Sequence, residues 1–352
     1  MRRNYTVIQA LRGLAALWVV LFHAEEGGHL QTLVARLPGW LASGIFKSGH
    51  FGVAVFFGLS GFVIAHSLSD FRASARNLGQ FLLKRSIRLD PAYWVSMVFV
   101  VLMGVLSARI KGEGPTFPNP EQVGAHLLYL QELLRLKEIN SVYWTLTYEI
   151  QFYLFYALMK FVPRGLWPCL VLAILSAAGF FHNLPHGLFL ELWGAFFVGA
   201  LARHALDDRK WLAGLAVLSA ILCTSMFGAM SAATALFLWF SVRRGWAEQG
   251  LNWRWLQFLG GVSYSLYLIH NPITGAVSFL VYRQLGTGLV PDIICLAMIV
   301  TASILGAACL WLLVERPSHR LSRRVRSPMP AGSELESRPS AITSRPTPPP
   351  AG

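Results

Sequence analysis

Residues 8–24 read IQALRGLAALWVVLFHA. The run is apolar enough to enter a bilayer as a helix, yet it carries an arginine and a histidine that solubility does not explain. Arg12 and His23 are separated by about three helical turns, so their side chains share one face, roughly 16 Å apart along the axis. A basic group toward one membrane surface and a titratable ring toward the other describe a polar path through a membrane.

The rest of the chain has the same character. Hydrophobic residues make up 55% of the 352 and charged residues 13%, with a mean hydropathy of +0.50, which excludes an ordinary soluble domain. Runs of about twenty apolar residues joined by short loops also exclude a β-barrel, whose segments alternate in polarity over about ten residues. The expected fold is all-α: a polytopic integral membrane protein of about ten transmembrane helices, near 7–27, 51–69, 87–108, 143–161, 166–183, 187–204, 211–227, 229–243, 256–282 and 290–314. The basic start MRRNYTVIQALRG lacks a small-residue cleavage site, so the first run reads as a retained signal anchor.

In a soluble protein the net charge of +13 would point to nucleic acid; here it is topological, and no nucleic-acid partner is expected. With the N-terminus inside, twenty-two of the 30 lysines and arginines fall on the inner side, seven on the outer, and Arg12 within the first span. N-terminus and C-terminus are therefore expected to be cytoplasmic, with the chain in the cytoplasmic (inner) membrane. Cys169, Cys223, Cys295 and Cys309 lie in apolar runs without paired spacing or neighbouring metal ligands, and read as small core residues. No metal site is expected. The residues divide into a transmembrane domain, 1–318, and a basic Pro/Ser-rich cytoplasmic tail, 319–352, too poor in apolar residues to bury a core. Two outer segments exceed simple turns, 28–50 and 109–142, and EQVGAHLLYLQELLRLKE in the second suits an amphipathic interfacial helix.

Each ionisable residue in a span is a functional candidate to be weighed against a structural pairing role. His23 and Glu149 both fall roughly 6 to 9 Å below the outer surface. At equal depth they can form an imidazole–carboxylate pair serving acid–base catalysis, or a hydrogen bond tying two helices. Arg85 and Arg88 in KRSIRLDPAYW share a helical face at the cytoplasmic mouth and suit a phosphate-bearing ligand, although such arginines also serve as topology anchors. Asp90 before Pro91 reads as a helix cap, with Arg88 as a potential partner. Gly58, Ser60 and Gly61 at mid-membrane admit either a neighbouring helix or a slim ligand. Ser263, Tyr267 and His270 form a polar stripe, after which Asn271–Pro272 is expected to interrupt the helix. Glu315 in VERPSHR reads as an ion-pairing residue, with Arg316 or arginines opposite.

As a set these motifs resemble the acyltransferase-3 family of bacterial membrane acyltransferases. The match rests on Arg12 and His23 with ten residues between them, FFGLSGF at 56–62, Arg85 and Arg88 running into RLDPAYW, WTLTYE at 144–149, SYSLYLIH at 263–270 and VERP at 314–317. It is closest to the stand-alone O-acetyltransferases that decorate exopolysaccharides. The resemblance implies transfer of an acyl group from cytosolic acyl-CoA, acetyl-CoA foremost, to a saccharide hydroxyl at the outer face, with no permanently bound cofactor. It further implies a catalytic His23, either as general base for the acceptor hydroxyl or as a transiently acylated residue; Glu149 is its candidate partner from depth alone. The donor is expected against Arg85, Arg88 and Arg12, its arm rising past Gly58 to Gly61, Ser60 among them, and past Ser263, Tyr267 and His270. Arg12 either holds CoA or braces the bundle. Two other readings stand beside this one: a flippase or transporter of a glycolipid or acyl carrier, and a scaffold subunit of an export complex.

Overall fold

The computed structural model describes residues 5–184 and 187–325, and these fold into helices with no strand among them. Ten principal helices coincide with the ten apolar runs. They are α1 (Thr6–Glu26), α2 (Gly52–Ser67), α3 (Ala75–Lys111), α4 (Trp144–Leu158), α5 (Leu166–Ala177), α6 (Trp193–Asp207), α7 (Trp211–Leu222), α8 (Met226–Arg243), α9 (Arg254–Leu285) and α10 (Leu289–Leu310). After α10 the chain continues through a π-helical turn, Trp311–Glu315, into a short helix, Arg316–Ser322. That helix runs past residue 318, where the sequence divides membrane domain from tail; residues 326–352 of the tail lie outside the described residues.

Five helical segments are long and apolar enough to cross a membrane: Thr6–Glu26, Gly49–Ser67, Ala75–Lys111, Met226–Arg243 and Leu289–Ser322. The chain is an integral membrane protein. Along α3 the residues Val95, Val98, Leu102 and Leu106 are exposed rather than buried, an apolar stripe at helical spacing that suits lipid and not water. The remaining helices differ from the expectation of ten equal spans. α5 and α7 have 12 residues each, about 18 Å at helical rise and short of a hydrocarbon core of about 30 Å. Two of the four cysteines, Cys223 and Cys309, are exposed and are therefore not core residues.

Small residues decide which helices touch. On α2 the first methyl of a side chain at Gly61 would lie 1.8 Å from the Phe196 carbonyl oxygen of α6, so only glycine admits that crossing. On α9, a side chain at Gly260 would meet the Gln9 carbonyl oxygen of α1 at 2.1 Å. The first seam joins α2 to α6, where Phe57 also stacks 3.9 Å from Phe196, and the second joins α9 to α1, which packs against α2 as well.

Two expected helix breaks do not occur. α9 runs unbroken through Pro272. Proline lacks the amide hydrogen that would bond the Leu268 carbonyl one turn back, and the Asn140 side-chain amide donates to that carbonyl instead, at 3.1 Å. α3 likewise passes through Asp90–Pro91; its N-cap is Ser74, whose hydroxyl accepts from the Asn77 amide. Conversely, the expected interfacial helix over 121–138 is only Pro120–Leu127, capped by Asn119. Tyr129 then takes a left-handed backbone (φ 57°), and its ring stacks 5.0 Å from Tyr93 of α3. That contact folds the following residues into turns against the bundle.

Candidate active site

α1, α2, α3, α4 and α9 enclose a narrow cavity of about 90 Å³. Seven of the nine residues singled out from sequence line it: Arg12, Ser60, Arg85, Arg88, Glu149, Ser263 and Tyr267. His23 and His270 stand outside its lining, side by side, with ring centroids 5.1 Å apart. Tyr267 connects the two groups, its ring 6.0 Å from that of His270.

One end is cationic. Arg85 lies with its guanidinium 4.7 Å from the Tyr153 ring centroid, a cation–π contact that keeps the charge at the cavity wall. Arg88 is in electrostatic reach of Arg85 and Arg12 and of the Glu315 carboxylate. Its Nε donates to His319 Nε2 at 3.2 Å. A ring nitrogen that accepts this bond keeps its lone pair, so the 3.6 Å approach of His319 Nε2 to Glu315 is not a charged pair in this arrangement. Glu315, 2% exposed, accepts from the Ser265 hydroxyl at 2.7 Å and faces both arginines. The expected Asp90–Arg88 pairing is replaced: Asp90 accepts from Ser86 one turn away and from Tyr129 at 2.8 Å.

Glu149 is a cavity residue whose Oε1 accepts from Ser60 at 2.6 Å and from Tyr153. The carboxylate beside His23 is Glu26, with Oε2 at 2.8 Å from Nδ1. The expected His23–Glu149 pair is thus corrected. Depth along two helices was similar, but rotation about each axis turns Glu149 toward α2 and leaves His23 to the residue one turn on. With Nδ1–H directed at a carboxylate, the His23 Nε2 carries the free lone pair of the neutral ring. His270 is fully buried, and its Nδ1 lies 2.9 Å from the Tyr267 carbonyl and 3.1 Å from that of Leu266. Nδ1 must carry the hydrogen, which makes Nε2 a bare acceptor, and that nitrogen has no partner among the described residues. Phe22 closes the other side of His23, 5.0 Å away, and Trp18 donates to the Gly44 carbonyl of the segment 28–50.

The glycines of FFGLSGF face away from this cavity. Gly58 abuts the Ser231 carbonyl of α8 and Gly61 abuts α6, while Phe56, Phe57, Leu59 and Ser60 line the cavity. Packing is their role here. Tyr267 anchors the cavity wall by donating to the Val142 carbonyl at 3.0 Å, its hydroxyl 2.9 Å from that of Thr145.

An acyltransferase family, described as "Acyltransferase domain", matches residues 5–312. The chain belongs to the acyltransferase-3 family. It is similar to the exopolysaccharide production protein ExoZ of Rhizobium meliloti (strain 1021), with 27% identity over 347 residues, covering 86% of this chain and 96% of that protein. No solved structure matches. Family membership makes the chain a membrane acyltransferase, an enzyme that moves acyl groups.

For an acyltransferase-3 protein the arrangement has a direct chemical meaning. Guanidinium groups at one end can hold anionic oxygens in two-point fashion, and an imidazole backed by a carboxylate can take a proton from a hydroxyl. Residues that sequence reading missed are Glu26, Tyr153, His319 and Asn140. Two had a signal: Glu26 lies three residues from His23 and Tyr153 four from Glu149, both helical-neighbour spacings.

Proposed function

We propose that the chain is an O-acyltransferase that takes an acyl group from cytosolic acyl-CoA, acetyl-CoA foremost, and transfers it to a saccharide hydroxyl at the outer side of the cytoplasmic membrane. The observation that carries this reading is the single helix α1, which holds Arg12 within a three-arginine cluster and His23 beside a carboxylate roughly 16 Å farther along. In this reading Arg85, Arg88 and Arg12 bind the donor phosphates. The cavity past Ser60, Ser263 and Tyr267 carries the pantetheine arm toward the histidines. His23 takes the acceptor hydroxyl proton as oxygen attacks the thioester carbonyl; the C–O bond forms, the C–S bond breaks, and the proton passes to the departing thiolate. Glu26 orients His23, and Glu149 shapes the donor channel through Ser60 and Tyr153.

The same reading takes all ten principal helices as membrane segments with both termini cytoplasmic, supported by the inner-side excess of basic residues. It takes residues beyond the last described helix as a dispensable tail. A saccharide acceptor is supported by the similarity to a protein of exopolysaccharide production.

The test uses membranes containing the full chain, acetyl-CoA and surface polysaccharide stripped of esters by mild alkali, with CoA release followed by a thiol reagent. Wild-type protein should release CoA only with acceptor present, and His23→Ala should lower the rate about 100-fold or more at equal membrane abundance. Turnover retained in His23→Ala sinks the role of His23. Acceptor transport without CoA release would make the chain a transporter.

A further inference from the structure

A second cavity, of about 310 Å³, lies between the α4–α5 turn and the start of α7, apart from the cavity lined by the arginine cluster. Three cations line it, Lys160, Arg164 and Lys210, together with the aromatic rings of Tyr156, Trp167 and Trp211. We propose that this mouth binds the phosphate headgroup of an anionic phospholipid on the inner leaflet.

The cations come from two separate loops and converge on one space, which a topology anchor does not require. Lys160 is half-buried with its ammonium 5.4 Å from the Tyr156 ring centroid, and that ring is fixed by a 2.7 Å bond between Tyr156 OH and His204 Nε2. The nearby carboxylates are already engaged: Asp207 with Arg203 at 2.7 Å, and Asp208 with Lys210 at 2.5 Å. Among the described residues neither Lys160 nor Arg164 has a carboxylate at ion-pair distance. Arg164 is presented on a tight turn in which its own backbone is left-handed (φ 56°), a conformation unfavourable for a residue with a side chain. The turn is locked because a methyl at Gly165 would sit 2.1 Å from the Met159 carbonyl oxygen.

The rim selects a lipid over a soluble phosphate. Phe161, Val162 and Trp167 are exposed apolar side chains beside the cations, and Trp167 lies 4.9 Å from Trp211. Tryptophans at headgroup level with cations next to them match a ligand that is anionic at one end and hydrocarbon at the other.

The full chain would be purified into nanodiscs of mixed phosphatidylglycerol and phosphatidylcholine, and the lipids that remain bound counted by native mass spectrometry. Phosphatidylglycerol should be retained at least about fivefold over phosphatidylcholine, the preference expected from one cation near a phosphate. The double change Lys160→Gln with Arg164→Gln should bring the two lipids to parity, and Lys160→Arg with Arg164→Lys should keep the preference. Trp167→Ala should weaken retention of both lipids. Equal retention by wild-type protein overturns the proposal whether or not any variant folds, and so does an unchanged preference in the glutamine variant. Millimolar inorganic phosphate or acetyl-CoA should leave the bound lipid in place; displacement by either assigns the cavity to a soluble phosphate ligand and overturns the lipid assignment.

Discussion

The two ends of α1 are built on opposite plans. Around Arg12 the neighbouring charges have partners within the protein: Arg88 has His319 and the field of Glu315, Arg85 has Tyr153, and Glu315 has Ser265. Around His23, among the described residues, there is one carboxylate, 55% exposed, and one neighbouring imidazole whose buried Nε2 has no partner. A network whose charges are partnered within the protein is suited to binding, since it meets a ligand already in position. A buried acceptor left open is costly, and one beside a candidate catalytic ring is placed to take a hydrogen bond from a bound substrate.

The difference is tested most severely at His270. His270→Asn keeps a donor for the Leu266 and Tyr267 carbonyls but removes the open acceptor, and should lower kcat about 100-fold with the donor KM unchanged. His270→Gln places an amide oxygen nearer the Nε2 position and should recover part of the loss. If Asn and Gln behave alike, the open nitrogen has no role in turnover. At the other end, Arg88→Lys keeps the charge and loses the planar fork, so the apparent KM for acetyl-CoA should rise about tenfold while kcat stays within about twofold. Steady-state kinetics on both variants decide the matter: if both changes move the same constant, the two ends do not divide binding from chemistry.

What the sequence made legible follows from which coordinate it constrains. Apolar length fixes where helices lie, and charge spacing fixes depth, so the clustering of Arg12, Arg85 and Arg88 was readable as three cations at one mouth. Rotation about a helix axis is not readable that way, and there the reading failed: Glu149 turns to Ser60 and Tyr153, and His23 is left with Glu26. Contacts made by returning segments were equally hidden. His319 reaches Arg88 from the helical continuation of α10 beyond its π-helical segment, and the carbonyl that Pro272 leaves open is taken by Asn140 of the segment 109–142. The glycines of FFGLSGF were legible as points of close approach, but neither the choice of a helix over a slim ligand nor the helices they met could be read.

The exchange of carboxylates gives a smaller prediction. Glu26 is more than half exposed, so its pair with His23 is screened and contributes up to about 1 kcal/mol, or roughly fivefold in rate. Glu26→Gln should lower kcat by about that factor in the CoA-release assay. Glu149→Gln should act instead on the donor KM, through Tyr153 and Arg85. A larger fall of kcat in Glu149→Gln than in Glu26→Gln would return Glu149 to the side of His23.

The smallest effect concerns the segment 109–142, which is tied to the histidine end. Asn140 and Ser141 tie it to α9 beside His270, through the Leu268 carbonyl and through bonds of 3.2 and 2.8 Å from the Asn271 amide. Two residues before Asn140, burial and the adjacent Glu132 push the Glu138 carboxyl up to about 8, from 4.5 in a free chain. The folded state therefore holds a proton that the unfolded chain has released at every pH between these values. Stability must fall as pH rises through that window, and the loss is complete above the folded value. Glu138→Gln mimics the protonated form and should flatten this slope, raising the melting temperature by about 1 to 3 °C at pH 8.5 and leaving it unchanged near pH 4.5. Thermal unfolding across that range measures it directly. A variant that melts like wild type at both ends would show that Glu138 is solvated in the folded chain, and that the segment is tied to the histidine end by Asn140 and Asn271 alone.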